Sequence, residues 1–285
     1  MESEFVNEER RRRAIGKVPI QLRSFFEECL FEPLPKPEFG DWLYHNQEKG
    51  QTFEDFKKVS RKPISSKNKI YVQTLDSIPR EMTDYLKSYC EAFFIGARVV
   101  FLPMKPLAEM KIKSRYNDGT LQYNAIHIIN KLVLPKDAHC IIGITNIDIY
   151  HKESWNYVFG LASGRVGVFS FARFYDEESP NDQASEFLWY RAGRTMTHEI
   201  FHMFGVKHCI FYKCIMNGSN SLEESAKKPG SLCPVCLQKL KYSLDFDILE
   251  RYRRLEAITN RPSQCFQRDN RFYQLNIDRL QQEWI

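Results

Sequence analysis

Two histidines and a glutamate at fixed spacing are the residues in this sequence best suited to chemistry. His198 and His202 are four residues apart, and Glu199 directly follows the first of them. On a helix, this spacing places both imidazoles on one face about one turn apart, where their nitrogens can bind one metal ion. A zinc ion with three protein ligands retains a water molecule and lowers its pKa towards about 7, so that Glu199 can act as general base in attack on a carbonyl. The pattern therefore predicts a hydrolytic zinc site.

The residues that follow make this prediction much more specific. The five-residue motif alone should occur by chance in about 1 in 100 chains of this length. Gly205 can end the helix with a positive φ, so that the chain reverses and His208 supplies a third nitrogen ligand. Requiring this glycine and this histidine lowers the chance expectation to the order of 1 in 10⁵. The complete pattern, H-E-x-x-H-x-x-G-x-x-H, is typical of metzincin metallopeptidases.

A methionine eight residues after His208 extends the pattern. Metzincins carry a later methionine turn, and Met216 stands in the corresponding place. We expect its side chain to pack as an apolar floor beneath the zinc ligands without bonding the metal, although an ordinary core methionine fits the sequence equally well.

Four cysteines directly after these histidines indicate a second metal site. Cys209, Cys214, Cys233 and Cys236 form two close pairs with the spacing C-x₄-C-x₁₈-C-x₂-C. Four thiolates in such pairs complete a closed tetrahedral site, and zinc is the expected occupant because it accepts four sulfur ligands and needs no redox chemistry. Because His208 and Cys209 are adjacent, we hypothesise that this structural zinc fixes the loop that delivers His208.

Two alternatives for the cysteines carry less weight. Residues 233–236 read Cys-Pro-Val-Cys, as in a thioredoxin-type redox pair. However, the sequence does not predict a βαβ unit of that kind before them, and a second cysteine pair can complete a metal site. Structural disulfides are disfavoured in a reducing compartment. The remaining cysteines are predicted to be small buried apolar residues: Cys29, Cys90, Cys140 and Cys265.

The composition describes a folded, soluble chain and says little about its partners. Of 285 residues, 43% are hydrophobic and 14% aromatic, which supports a sizeable core and excludes disorder as the dominant state. With 27% charged residues and a mean hydropathy of -0.47, no apolar run approaches the ~20 residues of a membrane span. The net charge of +5 does not distinguish a nucleic-acid binder from an ordinary slightly basic enzyme.

The elements that must position these residues alternate between strands and helices. The histidine motif lies in a predicted helix over residues 185–204, which Gly205 ends. Apolar patterns predict further strands over 69–74, 98–102, 140–145, 158–161 and 166–174, and further helices over 82–93, 121–134 and 244–258. This alternation is typical of an α/β fold. Residues 1–66 form a polar preamble that we expect to be peripheral or docked on a core built later in the chain.

At the zinc-binding residues the sequence resembles the archaemetzincins, a family of zinc metallopeptidases in the metzincin clan, and its vertebrate branch in particular. The likeness rests on HEIFHMFGVKHC at 198–209 and on the later Cys-Ile-Met and Cys-Pro-Val-Cys segments. It is supported by IIGITNIDIY, SWNYVFGLAS, GVFSFARF and MNGSNSLEES, so that it covers about residues 68–257.

The resemblance implies a fold, two metal ions and three segments. It implies a metzincin-like fold with a mixed, mostly parallel twisted sheet packed by helices, and a smaller C-terminal subdomain held by a four-cysteine zinc. It also implies one catalytic and one structural zinc per chain, with His198, His202 and His208 as catalytic zinc ligands and Glu199 as base. We expect an N-terminal extension at 1–66, an α/β subdomain with the active-site helix at 67–205, and the C-terminal subdomain at 206–285.

Two features are candidates for substrate binding. Metzincin-like sheets offer an edge strand on which a peptide can lie antiparallel, and we expect residues 166–174 to form it; an ordinary core strand is about equally compatible with the sequence. Asp176, Glu177 and Glu178 are suited to bind the α-amino group of a substrate, as an aminopeptidase requires, although acidic runs of this kind are more often solvated loops.

The resulting prediction is a zinc metallopeptidase, aminopeptidase-like on short peptides. One alternative is a catalytically inactive protein with the same fold, which binds two zinc ions and acts as a binding or scaffold protein. The presence of Glu199 argues against this alternative, because a structural zinc does not need that carboxylate. A nucleic-acid-binding zinc ribbon is disfavoured because no basic stripe with interleaved aromatic residues surrounds the cysteines.

The remaining expectations concern partners and compartment. A peptide or protein substrate is expected, with no membrane partner and no nucleic acid, and the sequence does not fix the oligomeric state. The N-terminal residues contain no apolar stretch after their charges, so we expect a cytoplasmic or nuclear protein that is not secreted. The arginine run at 10–13 is a weak indication of nuclear targeting, since charge runs are usually solvated.

Overall fold

A computed structural model describes residues 5–27, 30–175 and 185–282. The chain forms two compact units. The sheet unit comprises Lys62–Phe204 and Pro262–Cys265, and the helical unit comprises Met1–Arg61, Gly205–Arg261 and Phe266–Ile285.

The α-helices are α1 (Glu8–Ile15), α2 (Trp42–His45), α3 (Phe53–Val59), α4 (Arg80–Phe93), α5 (Ala125–Lys131), α6 (Glu186–Met203), α7 (Leu222–Lys227), α8 (Pro234–Leu244), α9 (Ile248–Thr259) and α10 (Gln264–Gln282). The strands are β1 (Lys69–Thr74), β2 (Arg98–Leu102), β3 (Ser114–Asn117), β4 (Thr120–Asn124), β5 (Ala138–Thr145), β6 (Asp148–Tyr150), β7 (Gly160–Ser163) and β8 (Val166–Ser170). Short 3₁₀ helices span Ile20–Phe26 and Leu107–Met110.

A five-stranded sheet with the order β2-β1-β5-β8-β7 forms the centre of the sheet unit. The strands from β2 to β8 run parallel, and β7 pairs antiparallel with β8. Every residue of the central strand β5 is buried, which explains its mostly apolar sequence, because a parallel strand is covered on both faces. The mixed, mostly parallel sheet confirms the predicted α/β class.

A smaller sheet with the order β3-β4-β6 accompanies the main one. Strands β3 and β4 form an antiparallel hairpin, and β4 pairs parallel with β6. Beside this sheet, Leu75, Ile128, Ile149 and Val168 belong to one buried apolar cluster. The cluster joins residues from β6, β8 and α5 into one core.

Helix α6, which carries the histidine motif, is buried along most of its length. It packs closely on α4, since a Cβ at Gly193 would lie 3.1 Å from the Tyr89 ring and 3.2 Å from the Tyr85 hydroxyl. Trp189 stacks on Tyr85 with ring centroids 5.8 Å apart. A side chain at position 193 would displace these tyrosines by a few tenths of an ångström, so glycine favours the close contact between α6 and α4.

The helical unit is held together by polar contacts of its N-terminal segment as well as by apolar packing. Helix α3 begins with a capping box, in which the Thr52 hydroxyl accepts from the Asp55 backbone and the Asp55 carboxylate accepts from the Thr52 backbone. The Gln238 side chain of α8 donates to the Lys17 carbonyl at 2.9 Å. The described residues before Lys62 are thus integrated into this unit.

Two predictions about local structure are wrong. Residues 121–134 were expected to form one helix, but the segment up to Asn124 belongs to β4 and only Ala125–Lys131 is helical. The strand expected to lie at the sheet edge, β8, pairs with β5 on one side and β7 on the other, so β7 forms the edge. Apolar periodicity could not reveal either result, because it does not report which strands pair.

Within the described residues, no helix combines the length and apolar character that crossing a membrane requires.

Truncating the centre of β5 should destabilise the protein strongly. Ile142 is fully buried, and we expect Ile142→Ala to lower the free energy of unfolding by about 2–5 kcal/mol through lost burial and the cavity left behind. Urea unfolding followed by circular dichroism measures the change. The matched control is Ile126→Ala, since Ile126 is 38% exposed on α5; an equal loss of stability in both variants would contradict the assigned core.

Candidate active site

Helix α6 brings the two motif histidines together. His198 is 9% exposed and His202 is partly buried. Their Nε2 atoms lie 3.0 Å apart, with the rings nearly perpendicular at 88°. Nitrogens bound to one tetrahedral zinc at the usual bond lengths lie about 3.3 Å apart. The four-residue helical spacing therefore produces a pair of nitrogens that fits a shared zinc ion.

The third histidine joins this pair through the turn after α6. Gly205 has a φ of 96°, a left-handed conformation that L side chains rarely adopt, and the chain turns there. One ligand atom from each of His198, His202 and His208 lies within 4.8 Å of the others. Three neutral imidazoles form a set that zinc readily accepts, and they leave a fourth tetrahedral position for water or substrate. The residues present thus fit a catalytic zinc.

The Glu199 side chain is closely enclosed. It is only 7% exposed. A Cβ at Gly160, the first residue of β7, would lie 2.5 Å from its Oε1 atom and 2.7 Å from its Cγ atom. Glycine at position 160 therefore allows the Glu199 side chain to occupy its place, and sequence patterns gave no indication of this contact.

Met216 and Asn217 hold the backbone of the segment after His208. The Cys209 N–H donates to the Met216 carbonyl at 2.8 Å, and Met216 is fully buried. The Asn217 amide donates to the carbonyls of Cys209 and Tyr212 at 2.7 and 3.0 Å, and its oxygen accepts from the Cys214 N–H at 2.7 Å. These bonds fix the backbone beside His208. The expectation that the Met216 side chain packs beneath the zinc ligands stays a prediction.

The four clustered cysteines form a second candidate metal centre. All four are buried, and their sulfur atoms lie within 4.8 Å of one another. Cys209 Sγ and Cys233 Sγ are 3.5 Å apart, close to the about 3.7 Å that two thiolates on one tetrahedral zinc require. Cys233 is the N-cap of α8, whose first residue is Pro234. The arrangement fits a closed four-sulfur site.

The thiols of this cluster influence one another's ionisation. Burial alone raises the pKa of Cys209, but hydrogen bonds with the other three thiols lower it well below its ordinary value. Burial, followed by the thiol contacts, raises the pKa of Cys233 well above its ordinary value. Contact among the four thiols thus couples their ionisation, as expected of a set that loses protons on binding a metal.

The remaining cysteines behave differently. Cys90 and Cys140 are fully buried, and burial raises the pKa of both thiols. Cys265 is partly buried, and Cys29 lies outside the described residues. The two buried cysteines thus act as small apolar residues, as predicted.

The third histidine has two neighbours that sequence reasoning missed. The Glu48 carboxylate lies 2.9 Å from His208 Nδ1, and the Trp42 ring contacts His208 edge-on with centroids 5.3 Å apart. Both come from the segment expected to be peripheral, about 160 residues away along the chain. No motif or periodicity links residues so far apart.

The predicted substrate residues Asp176, Glu177 and Glu178 lie outside the described residues.

Comparison with known proteins identifies the family. The model of peptidase family M54 matches residues 64–242. Archaemetzincin-2 from Mus musculus is 40% identical over 265 residues, covering 79% of this chain and 74% of the relative, and the Homo sapiens archaemetzincin-2 is 37% identical over the same shares. The crystal structure of the archaemetzincin from Methanopyrus kandleri covers 65% of this chain and 99% of its own, with a TM-score of 0.51 and 27% identity.

These matches agree with the fold and with the two groups of metal-binding side chains. The family match spans the helix with the histidine motif and all four clustered cysteines. Its members are peptidases, so the substrate is a peptide or protein. The chain belongs to peptidase family M54, the archaemetzincins, and is a zinc metallopeptidase.

Proposed function

We propose that this chain hydrolyses peptide bonds, aminopeptidase-like on short peptides, with one catalytic zinc held by His198, His202 and His208 and with Glu199 as general base. The observation that carries the proposal is the convergence of the three imidazoles within 4.8 Å, with a buried carboxylate on the same helix. When bound there, zinc supplies Lewis acidity that polarises the scissile carbonyl and acidifies a water molecule.

Glu199 moves the proton in this proposal. Its carboxylate accepts a proton from the attacking water and passes it to the leaving amine. Burial of the side chain excludes bulk water, and the contact with Gly160 limits its positions. A base whose position is fixed in this way needs little reorganisation at the moment of reaction.

We assign the substrate-binding strand to β7. It lies at the end of the sheet order, and its first residue, Gly160, contacts Glu199. An extended peptide that pairs with β7 is held by backbone hydrogen bonds beside the general base. The preference for a free amino terminus rests on Asp176, Glu177 and Glu178, whose negative charges attract an α-ammonium group.

A second, structural zinc completes the proposal. Cys209, Cys214, Cys233 and Cys236 bind it as thiolates in a closed site without a position for water. Because Cys209 directly follows His208, a metal ion on Cys209 restricts the backbone that carries the third catalytic ligand. The expected stoichiometry is two zinc ions per chain.

Replacing the general base should abolish cleavage and leave metal binding intact. Glu199→Gln keeps the shape of the side chain but cannot accept a proton, so we expect peptide cleavage to fall about 10²–10⁴-fold with two zinc ions retained. Zinc counting by mass spectrometry and a peptide library with free and acetylated amino termini measure both properties. The aminopeptidase assignment is supported if the wild type cleaves only the peptides with free amino termini and the variant cleaves neither kind. Two zinc ions with no cleavage by the wild type would instead support the scaffold alternative.

Adding one methyl group at Gly160 should impair catalysis without removing zinc. The alanine Cβ would lie 2.5 Å from Glu199 Oε1, so the carboxylate must move, and we expect kcat to fall about 10- to 100-fold. Steady-state kinetics with zinc counting test this. Gly167→Ala in β8 is the matched control, since its Cβ meets no heavy atom closer than 3.4 Å and should leave kcat nearly unchanged. Equal kcat in both variants would refute the positional role of Gly160.

The two metal sites should release zinc separately. The three-histidine site is open and the four-cysteine site is closed, so we expect a mild chelator to remove one zinc ion and abolish activity while the second remains. His202→Ala should lose the chelator-sensitive ion only, whereas Cys209→Ser should lose the resistant ion and also weaken the first site. Full metal content and activity in Cys209→Ser would show that the two sites are not coupled through the segment at His208.

A further inference from the structure

We propose that Glu48 is a positioning residue for the catalytic zinc, because its carboxylate holds the His208 imidazole in the orientation and tautomer that metal binding needs. This inference rests on the proposed three-histidine site and adds to it a residue outside the segment that the family model matches.

The contact between Glu48 and His208 has the geometry of a carboxylate behind a metal-binding histidine. Glu48 Oε1 lies 2.9 Å from His208 Nδ1. With Nδ1 donating to the carboxylate, the lone pair on Nε2 is available to the metal. The group of converging ligand atoms comprises the three histidines, and Glu48 lies outside it. A carboxylate in this position fixes the ring and increases the basicity of the ligand nitrogen.

The Trp42 side chain fixes the carboxylate in turn. Its Nε1–H donates to Glu48 Oε1, the same oxygen that faces His208, at 2.8 Å. The Trp42 backbone N–H donates to Glu224 Oε1 at 2.8 Å. The Trp42 ring also packs so closely on Gly218 that a Cβ there would lie 2.3 Å from it. Trp42 and His208 thus contact the same Glu48 oxygen, and Glu48 keeps only 26% of its side chain exposed.

The residues after Glu48 hold the backbone that leads to His208. The Gln51 side chain donates to the Gly205 carbonyl at 3.0 Å and accepts from the Lys207 N–H at 3.1 Å. The buried Lys239 ammonium donates to the Gln51 carbonyl at 2.6 Å. The segment 48–51 therefore contacts both the backbone before His208 and the His208 ring itself.

Gly50 completes this contact. It has a φ of 73°, and a Cβ at this position would lie 2.8 Å from both Ile210 Cγ1 and Phe211 Cζ. The segment 48–51 thus lies directly against the chain on both sides of His208. Such close contact gives the N-terminal segment a role in shaping the third ligand.

The test compares zinc binding by Glu48 variants of the full chain. In Glu48→Ala we expect the chelator-sensitive zinc to bind about 10- to 100-fold more weakly, as is usual when the carboxylate partner of a metal-binding histidine is removed. Glu48→Gln retains an oxygen acceptor for Nδ1–H and should recover part of this loss. Competition with a chromophoric chelator measures the affinity, and the visible spectrum of the cobalt-substituted protein reports the geometry at the histidines.

The matched control is Glu54→Ala, which removes an exposed glutamate of the same N-terminal segment that pairs with Lys57. Its zinc affinity and cobalt spectrum should equal those of the wild type. Unchanged affinity and spectrum in Glu48→Ala would overturn the proposal even if its Tm fell, because a merely structural role lowers Tm alone. Retention of the chelator-sensitive zinc by His208→Ala would instead overturn the three-histidine site, and the role of Glu48 with it.

Discussion

The close approach of two imidazole nitrogens on α6 is the constraint around which this fold is arranged. The two nitrogens lie 3.0 Å apart on a buried and a partly buried histidine, and a buried carboxylate follows the first of them, so the group is one that a cation would stabilise. Helical geometry brings the pair together, and dense packing keeps it there. Gly193 permits α6 to lie against two tyrosines of α4, about one and a half turns from His198 and two and a half turns from His202.

His208, the proposed third ligand, requires a different solution, because it lies on irregular chain after the helix has ended. Irregular backbone has no ladder of hydrogen bonds, so its conformation must be fixed by individual contacts. Asn217 supplies three such bonds around Cys209 and Cys214, and the Met216 carbonyl supplies another. The thiol cluster begins at the residue after His208, which places a second set of constraints immediately beside the ligand. A site built on a loop is thereby made nearly as well defined as one built on a helix.

The parts of the structure that the sequence predicts are those whose signals are local. The helix over 185–204, the turn at Gly205 and the two cysteine pairs all depend on spacings of fewer than about twenty residues, and the structure reproduces them. The prediction of one helix over 121–134 was wrong because the apolar pattern of a short strand followed by a short helix resembles that of one longer helix. No sequence pattern indicates a role for Glu48, since its partner His208 is 160 residues away and its neighbours in the sequence are polar residues without a motif.

The error about the edge strand has a consequence for catalysis. Strand β8 has the stronger apolar pattern because it is internal, with partners on both sides. Strand β7 is short and weakly patterned, and among the described residues no strand follows it in the sheet order, so the proposal places the extended peptide at this edge. Its first residue, Gly160, also lies against Glu199. In the proposed mechanism, the strand that pairs with the peptide is therefore also the strand that limits the position of Glu199. A shift of β7 would move both, so the proposal makes the absence of a side chain at position 160 part of the catalytic geometry.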